Sequence, residues 1–504
     1  MKNILLFGAG KSATFLIDYL LKNALREDWL ITVVDANIQL AESKIGNAIS
    51  GQAVSFDIND ESIRRLHIEQ TDIVISLLPP SLHILVAKDC IHFKKNLLTA
   101  SYVDDQMRSL RNDIESNGLL FLCEMGLDPG IDHMSAKKMI DSIHSEGGRI
   151  TSFLSHCGGL VAPESDNNPW RYKISWNPRN VVLAGKAGAI FKEDGTIREM
   201  DYEELFSQKR MVVVPDHELL CWYPNRDSLS YIPVYGLETC DTFIRTTLRH
   251  PDFMYGWKNV IALHLTDEVK KYNTAGKSLK DFYVMHMAEN GFGDWLQEQM
   301  QEQFASSKKI LEDLVNLVEM EEKAGKSGAE PMDEFMMVDE KGDLQEIDLD
   351  TLKTNAAATV ANKMHEAKLT LKQLFFLGMD DPSIMIPMNE ASAADVLQLS
   401  LEKKLPLLPG DKDMVVMIHE IEYQNQNKNW KEIASLLITG ENDQHTAMAK
   451  TVGLPLGIAA KLILNGTIRE KGLLIPVTKE IYEPVLNELQ QHGIFFQEQK
   501  TELT

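Results

Sequence analysis

The stretch that decides the fold is Asn3-Ile-Leu-Leu-Phe-Gly-Ala-Gly-Lys-Ser-Ala-Thr-Phe-Leu-Ile17. An apolar run leads into Gly-x-Gly-x-x-Ala and then into helically spaced apolar residues, which predicts a strand, a tight turn and a helix. Gly8 permits the turn, Gly10 lets the backbone approach a pyrophosphate, and Ala13 is small enough for close helix packing. Because the helix N-terminus faces that turn, the pattern predicts a dinucleotide-binding unit; a turn without a ligand is the alternative.

The end of the second predicted strand bears on the choice of cofactor. Asp35 closes the run Val33-Val34-Asp35, where a carboxylate accepts hydrogen bonds from the adenosine ribose. A 2′-phosphate would meet this negative charge, and no arginine follows within residues 36–39. The local sequence therefore favours NAD over NADP, although Lys44 or Arg64 can approach from elsewhere.

Outward from the turn, strand-like and helical patterns alternate as far as Glu124. This alternation predicts an α/β protein with a Rossmann-type parallel sheet. After Gly126 the predicted strands are short, and from about Trp257 to Gly378 helical patterns dominate. The strand predictions are Ile4–Phe7, Leu30–Val34, Val54–Phe56, Asp72–Leu78, Asn96–Ala100, Leu119–Glu124, Phe153–Gly159, Tyr172–Trp176, Val181–Val182, Met211–Val214 and Leu474–Val477. A hairpin is predicted at Met414–Gln424 and Trp430–Thr439, and a helix near Asp104–Asn117.

Composition narrows the class of partner. The 504 residues contain 51 Lys and Arg against 74 Asp and Glu, a formal charge of −23. Such a surface repels nucleic acid and anionic membranes. The chain enters a strand at once, without a secretory signal pattern, and its five scattered cysteines favour reduced thiols. We therefore expect a cytoplasmic protein that binds neither nucleic acid nor membrane, and no metal, because no clustered Cys/His spacing is present.

Several segments resemble the glutamate-forming saccharopine dehydrogenases, also called saccharopine reductases. The most specific is Gly126-Leu-Asp-Pro-Gly-Ile-Asp-His133. Other similar segments are Asp72–Pro79, Thr99–Val103, Phe153–Leu160, Pro163–Pro169, Tyr172–Trp176, Tyr223–Ser228, Thr247–Arg249 and Ala449–Ile458. The resemblance covers most of the chain, while the charged, glycine-containing stretch Glu319–Asp343 looks like an inserted mobile loop relative to the fungal enzymes.

The resemblance implies a fold and a reaction. Saccharopine, NAD(P) and water would give L-glutamate, 2-aminoadipate 6-semialdehyde and reduced cofactor, a step of lysine metabolism. The implied domains are a Rossmann domain at 1–125, an α/β substrate-binding and dimerisation domain with a mixed sheet at 126–445 with a mostly helical insertion about 257–380, and a segment at 446–504 that returns to the Rossmann domain. A homodimer is implied as well. A carboxyspermidine-type dehydrogenase and a non-catalytic NAD-binding regulatory protein are the alternatives.

The turn, the strand ends and the resemblance together define the candidate cofactor residues. They are Gly8, Gly10, Lys11, Ser12, Ala13, Asp35, Asp57, Ile58, Leu78, Pro79, Leu127, Asp128, Pro129 and Trp176. Asp128 can favour a cationic amine or iminium, or it can simply cap the helix that follows. Trp176 would stack near the nicotinamide, or belong to the core.

A substrate with three carboxylates needs separated cations. By resemblance the candidate substrate residues are Ala100, Ser101, Arg226, Thr247, Leu248 and Arg249. Arg226 lies in a turn-forming context that suits a guanidinium clamping a carboxylate, with a surface pair to Asp227 as the alternative. The nearby Arg245 is a candidate structural ion-pair partner.

The catalytic acid–base residue stays open at this stage. Asp128, His156 and Cys157 are the candidates, with His133 as a further histidine. The fungal relatives place a tyrosine where His156 stands, so the resemblance assigns no role to His156. A buried histidine with a structural role is the alternative.

Overall fold

The structure, a computed structural model, describes residues 1–208, 210–215, 217–326, 334–338 and 344–503. The chain forms two compact units. One contains Met1–Met254 and Leu405–Thr504, and the other contains Tyr255–Lys404. The predicted domain boundaries stay a prediction beside this division.

The N-terminal part alternates strands with helices. Its elements are β1 (Lys2–Phe7), α1 (Thr14–Glu27), β2 (Trp29–Val34), α2 (Ile38–Ile45), β3 (Gly51–Val54), α3 (Glu61–Glu69), β4 (Ile73–Ser76), α4 (His83–His92), β5 (Asn96–Thr99), α5 (Asp105–Ser109), α6 (Arg111–Ser116) and β6 (Leu120–Leu122). Short 3-10 turns at Lys11–Ala13 and Pro80–Leu82 precede α1 and α4.

The middle of the chain and its C-terminal part supply the remaining elements. First come α7 (Ile131–Ser145), β7 (Arg149–Val161), α8 (Pro178–Val182), β8 (Ala189–Glu193), β9 (Thr196–Met200), α9 (Tyr202–Leu205), β10 (Arg210–Val212), β11 (Leu220–Pro224), β12 (Arg226–Asp227), α10 (Ile232–Tyr235), β13 (Thr242–Arg249) and α11 (Pro251–Ala262). Then follow β14 (Lys271–Asn273), α12 (Leu279–Glu289), α13 (Trp295–Lys326), β15 (Glu334–Val338), β16 (Leu344–Asp348), α14 (Leu349–Phe376), β17 (Glu390–Ser392) and α15 (Ala393–Lys404). The last are β18 (Asp413–Asn425), β19 (Lys428–Thr439), α16 (Ala447–Leu464), β20 (Gly472–Leu474), α17 (Lys479–Gln491) and β21 (Gln497–Leu503).

Among the described strands, seven form a parallel sheet in the order β20-β6-β5-β4-β1-β2-β3. Alternate residues of β1 point to opposite faces: Ile4 and Leu6 join the core beneath α1 and α16, whereas Leu5 and Phe7 join the core beneath α4. Helices on both faces explain why these strands are continuously apolar. The strand order reverses between β1 and β4, so their carboxyl ends mark the switch point where dinucleotides bind. The predicted Rossmann-type class is confirmed.

A mixed sheet follows, with the described order β10-β11-β13-β7-β18-β19-β21 and with β8, β9 and β12 attached beside β13. Register pairs Ser155 with Arg245 and Cys157 with Thr247, so these side chains share one face. His156 pairs with Thr246 on the other face. The predicted hairpin is present as β18 and β19.

The unit Tyr255–Lys404 is mostly helical among its described residues. A capping box starts α12, where Ser278 and Asp281 bond each other's backbone. The predicted loop Glu319–Asp343 is wrong in part, because α13 continues to Lys326 and β15 pairs with β16. Its other residues, 327–333 and 339–343, lie outside the described residues.

Helix α16 packs on α1 and on the core of the parallel sheet. It is long and apolar enough to cross a membrane by composition, yet 67% of that window is buried inside the protein. A Cβ added at Gly453 would lie 2.8 Å from the Leu16 nitrogen and 3.2 Å from the Ser12 oxygen. Packing on the core therefore accounts for the apolar character of α16.

Besides the loop, three secondary-structure predictions are wrong. Residues 172–176 form no strand, only a bridge from Ile174 to Pro406. Val181–Val182 belongs to α8, because Asn177 caps the helix and Pro178 occupies its first turn. The single helix near Asp104–Asn117 is two short helices that meet at Leu110.

Candidate functional site

The glycine turn leaves open space where a pyrophosphate would lie. Gly8 has a φ of +99°, and a Cβ there would lie 2.9 Å from the Leu77 oxygen. A Cβ at Gly10 would meet nothing within 4 Å. No side chain caps either helix start after the turn. The turn thus fits a dinucleotide, whose phosphates would face the helix N-terminus.

Asp35 lies against this turn. Its Oδ2 accepts a hydrogen bond from the Ala9 amide at 2.7 Å, and its Oδ1 accepts from the Asn37 amide. Each carboxylate oxygen keeps a further lone pair for a ribose hydroxyl. The structure thereby brings Asp35 to the predicted place.

The two cations that could approach a 2′-phosphate differ in availability. Arg64 is buried and donates to Asp89 at 2.7 Å and to the Ile58 oxygen, so it is committed elsewhere. Lys44 donates to the Gly10 oxygen and to the Thr14 hydroxyl. Burial lowers the pKa of Lys44 to about 8.

The other predicted cofactor residues follow the sheet's carboxyl edge. Asp57 and Ile58 come after β3, while Leu78 and Pro79 come after β4. Lys11 and Ser12 continue the glycine turn, and Lys11 Nζ donates to the Ile174 oxygen at 3.1 Å. This contact connects the turn with the segment that carries Trp176.

A buried ion-pair cluster lies beyond β6. Arg245 Nη2 donates to Asp128 Oδ1 at 2.7 Å and to Asp132 Oδ2 at 2.8 Å. Asp128 does not cap α7, because the N-cap residue is Gly130, whose amide bonds Asp132. The alternative in which Asp128 is a helix cap is therefore wrong. Leu127 is buried in the core that contains Ala13, and Pro129 follows Asp128 through a cis peptide bond.

Tyr102 lies between two guanidinium groups. Its hydroxyl donates to Asp128 Oδ1 at 3.1 Å, and its ring lies 5.7 Å from Arg245 Cζ and 5.4 Å from Arg226 Cζ. Arg226 is exposed and has a left-handed φ of 51°. It stacks on Tyr102, while Asp227 accepts from the backbone of residues 229 and 230. Arg226 is thus placed beside the Asp128 cluster.

The two aspartates of the cluster differ in acidity. Burial raises the pKa of Asp128, and Arg245 only partly opposes it. Burial would raise the pKa of Asp132 as well, but the charges of His133 and Arg245 outweigh burial and lower this pKa. Two carboxyl groups whose pKa values diverge are typical of acid–base sites.

Arg249 is a buried cation without a carboxylate partner among the described residues. Only 4% of the residue is exposed, its Nη1 donates to the Leu248 oxygen, and its Nε has no partner. The guanidinium lies over the rings of Tyr172 and Phe253 at 5.5 and 5.4 Å. Leaving a buried charge unpaired is costly, so this position suits an anionic ligand.

An aromatic connection runs from Arg249 toward the glycine turn. Trp176 Nε1 donates to the Tyr172 hydroxyl at 3.0 Å, and Trp176 packs on the core that contains Ala13 and Cys157. Burial raises the pKa of the Cys157 thiol well above its usual value. Cys157 is therefore a neutral thiol at physiological pH.

Along β13 the side chains alternate between the two faces. Arg245, Thr247 and Arg249 share the face of Cys157, whereas Leu248 points to the opposite face and offers only its backbone oxygen. After β5, Ala100 and Ser101 are half-buried at the carboxyl edge of the parallel sheet. Ser101 Oγ lies 2.8 Å from His83 Nε2.

The structure gives the two candidate histidines protein partners, as the alternative of a buried histidine with a structural role predicts. His156 lies on the sheet face opposite Cys157, where it contacts Thr246 at 2.7 Å and Glu420 at 3.3 Å. His133 is fully buried between Glu124 and the Tyr235 hydroxyl. His156 faces away from Cys157 because adjacent residues of a strand point to opposite sides. His133 is buried because it lies on the inner face of α7.

Sequence reasoning assigned no role to Tyr102, His83 or Glu124, and it gave Arg245 only a structural role. Tyr102 directly follows Ser101, and this adjacency was the one signal that could have identified it. Glu124 has a left-handed φ of 57° and accepts from Tyr231 and His133. Strain of this kind is visible only in the folded chain.

The parallel sheet with its open glycine turn, and the charged face beside it, define a dinucleotide-binding protein of the Rossmann class with a separate mixed sheet. The chain belongs to the saccharopine dehydrogenase family. Residues 4–122 match the saccharopine dehydrogenase NADP binding domain, and residues 126–494 match the saccharopine dehydrogenase C-terminal domain. The family resemblance is confirmed. A nicotinamide cofactor is supported, and the matching NADP binding domain favours NADP over the NAD that the local sequence predicts.

Named relatives and a solved structure agree with this assignment. The chain is 30% identical over 501 residues to saccharopine dehydrogenase [NADP(+), L-glutamate-forming] of Schizosaccharomyces pombe, covering 99% of both chains. It is 32% identical over 518 residues to alpha-aminoadipic semialdehyde synthase of Arabidopsis thaliana, covering 97% of this chain and 44% of that protein. It is similar to apo saccharopine dehydrogenase (L-Glu forming) of Saccharomyces cerevisiae, with a TM-score of 0.77, 28% identity, and 99% and 100% of the two chains covered.

Proposed function

We propose that the chain cleaves saccharopine oxidatively. Saccharopine, water and NAD⁺ would give L-glutamate, 2-aminoadipate 6-semialdehyde, NADH and a proton. The observation that carries the proposal is Arg249, a buried guanidinium on the same sheet face as the Asp128–Arg245 pair. A carboxylate of the substrate would supply the negative charge that pairs with the Arg249 guanidinium.

The spacing of cations also suits this substrate. Arg245 and Arg249 are four residues apart on one strand, so their backbones are separated by about 13 Å. Arg245 is neutralised by two aspartates, which leaves Arg249 and the exposed Arg226 to bind substrate carboxylates. Saccharopine carries three carboxylates distributed along its length, so two separated arginines can hold its two ends.

Asp128 is the residue that we assign to proton transfer. Bound NAD⁺ supplies the hydride acceptor for the carbon next to the secondary amine. The raised pKa of Asp128 and its bond from Tyr102 suit a carboxylate that takes a proton from the amine or from water. Cys157 stays protonated and lines the same face.

NAD is the cofactor that we propose, on local grounds. The charge of Asp35 at the glycine turn would repel a 2′-phosphate, and Arg64 is bound to Asp89. The printed names of the fungal relatives and of the matching domain model carry NADP, so the preference for NAD rests on Asp35 and the commitment of Arg64, not on the family. Lys44 lies at the glycine turn, and its positive charge would attract a 2′-phosphate and thus favour NADP.

The cofactor preference is tested by turnover with NAD⁺ and NADP⁺ at saturating saccharopine. We expect higher kcat/KM with NAD⁺, and we expect Asp35→Asn to narrow the difference by raising the NADP⁺ value. Asn37→Ala, which leaves the charge in place, is the matched control. Better kcat/KM with NADP⁺ in the unmutated chain would overturn the preference.

The function itself is tested by saccharopine-dependent NADH formation, with mass spectrometry of both products. We expect glutamate and the semialdehyde in equal amounts, and we expect Asp128→Asn to lower kcat by about 10²–10⁴-fold. Cofactor binding followed by no turnover would contradict the proposal and favour a regulatory protein. Turnover of carboxyspermidine but not saccharopine would favour the polyamine-type alternative.

The homodimer and the cytoplasmic location also stay proposals. The family resemblance supports the first, and the free, buried cysteines are compatible with the second. Light scattering of the purified chain measures the oligomeric state, and imaging of a tagged chain in its own cell shows the location.

A further inference from the structure

A buried histidine connects two strand ends of the parallel sheet. His83 begins α4, and 4% of it is exposed. Its Nδ1 lies 2.8 Å from Ser76 Oγ at the end of β4, and its Nε2 lies 2.8 Å from Ser101 Oγ just beyond β5. The imidazole therefore joins the hydroxyls of Ser76 and Ser101 across the carboxyl edge.

The ring is neutral at physiological pH. Burial lowers the pKa of His83 to about 4, and the charge of Asp104 only partly opposes this effect. A neutral imidazole has one nitrogen that donates and one that accepts. Each nitrogen is thus matched to one serine hydroxyl, with Thr99 Oγ1 as a longer contact of Nε2 at 3.3 Å.

The backbone of Ser101 is already fixed on both sides. Its amide donates to Thr99 Oγ1 at 3.2 Å, and its carbonyl accepts from the Glu124 amide at 3.1 Å. The Ser101 side chain can still rotate about its Cα–Cβ bond, which changes the direction of the hydroxyl group. The contact with His83 selects one of its staggered rotamers.

We propose that His83 is a positioning residue, which holds the Ser101 hydroxyl toward the substrate through the Ser76–His83–Ser101 hydrogen-bond row. The proposal deepens the proposed function and rests on it, because Ser101 has to contact saccharopine. His83 itself touches neither the glycine turn nor the ion-pair cluster among the contacts described, so its effect passes through Ser101.

Two variants of nearly equal polarity separate the two hydrogen bonds. In His83→Gln the amide is long enough to occupy the place of Nε2 and reach Ser101. In His83→Asn the shorter amide reaches only the place of Nδ1 and Ser76. We expect His83→Asn to lower kcat/KM for saccharopine about 10-fold, mainly through KM, and His83→Gln to stay within about 3-fold of the unmutated chain. NADH affinity, measured by fluorescence titration, should change less than 2-fold in both.

A double-mutant cycle supplies the second measurement. In a Ser101→Ala background, His83→Asn should cause no further loss, because the hydroxyl that it positions is gone. An equal loss in both backgrounds, or parallel loss of NADH affinity, would overturn the positioning role and indicate a structural one. If the unmutated chain does not turn over saccharopine, the proposed function fails together with this inference. If it does and His83→Asn is fully active, only the inference fails.

Discussion

At the residue scale, the two arginines assigned to substrate carboxylates differ in burial. Arg249 is buried with an unpartnered Nε, whereas Arg226 is exposed and stacks on Tyr102. Their residue type and order are readable from the sequence, but their burial is not. The same side chain therefore carries a stability cost at one position and none at the other.

Replacing Arg249 should weaken substrate binding and raise the stability of the fold. We expect Arg249→Met to raise the saccharopine KM by about 10- to 100-fold, since charge-assisted hydrogen bonds are lost. Removal of the unpaired buried charge should raise the free energy of unfolding by about 1 kcal/mol. Steady-state kinetics and urea unfolding measure the two effects.

Arg226→Met is the matched control. It should raise KM as well, while the free energy of unfolding changes by less than about 0.5 kcal/mol because the residue is exposed. Equal loss of stability in both variants would contradict the assignment of Arg249 as an uncompensated charge.

At the element scale, the central strands of the mixed sheet carry different chemistry on their two faces. Cys157 and Arg245 face the ion-pair cluster, whereas His156 contacts Glu420 on the other face. Sequence patterning predicted the strand around 153–159 and the hairpin. It could not assign a face to each residue, because the register between strands distant in sequence decides that.

The contacts of Glu420 with His156 and Lys431 should make the free energy of unfolding depend on pH. Bonds from His156 and Lys431 lower the pKa of Glu420 to about 2 from its ordinary 4.5. A lowered folded-state pKa stabilises the protein above the unfolded value, and this contribution disappears as pH falls from about 4.5 toward 2. We expect Glu420→Gln to cost on the order of 2 kcal/mol at pH 7 and little near pH 2.5, measured by urea unfolding.

Glu422 offers a control on the same strand. Its carboxylate lies 4.0 Å from Lys431 and its side chain is 42% exposed, so solvent screens the pair. Glu422→Gln should change the free energy of unfolding by less than about 0.5 kcal/mol at both pH values. A pH-independent cost for Glu420→Gln would show that the linkage is absent.

At the scale of the whole molecule, helix α16, from the C-terminal part of the chain, packs on α1 beside the glycine turn. Gly453 approaches the backbone of Leu16 and Ser12, and Gly457 approaches the ring of Tyr19. The glycine spacing is visible in the sequence. Its partner is not, because about 430 residues separate the two helices and only the fold brings them together.

These two glycines should respond differently to alanine. At Gly453 the added Cβ would lie 2.8 Å from backbone, which cannot move away, so we expect a loss of about 1–3 kcal/mol and weaker NADH binding. At Gly457 the neighbour is a side-chain atom of Tyr19 at 2.6 Å, and the gain in helix propensity of about 1 kcal/mol offsets part of the strain. Urea unfolding and NADH fluorescence titration compare them; a larger loss at Gly457 would contradict the expectation.

The local pattern around Gly8, Gly10 and Asp35 was enough to predict the Rossmann class and the place of the dinucleotide, because a strand, a turn and a helix adjacent in the chain are governed by short-range geometry. The family resemblance singled out Arg226 and Arg249 for the substrate, and this assignment stays a prediction. Only the tertiary structure decided that Asp128 pairs with Arg245, that Arg249 is buried with no carboxylate partner among the described residues, and that His156 lies on the opposite face. Burial, pairing and strand register arise from contacts between distant segments, and those contacts determine which charge is neutralised and which is left for a ligand.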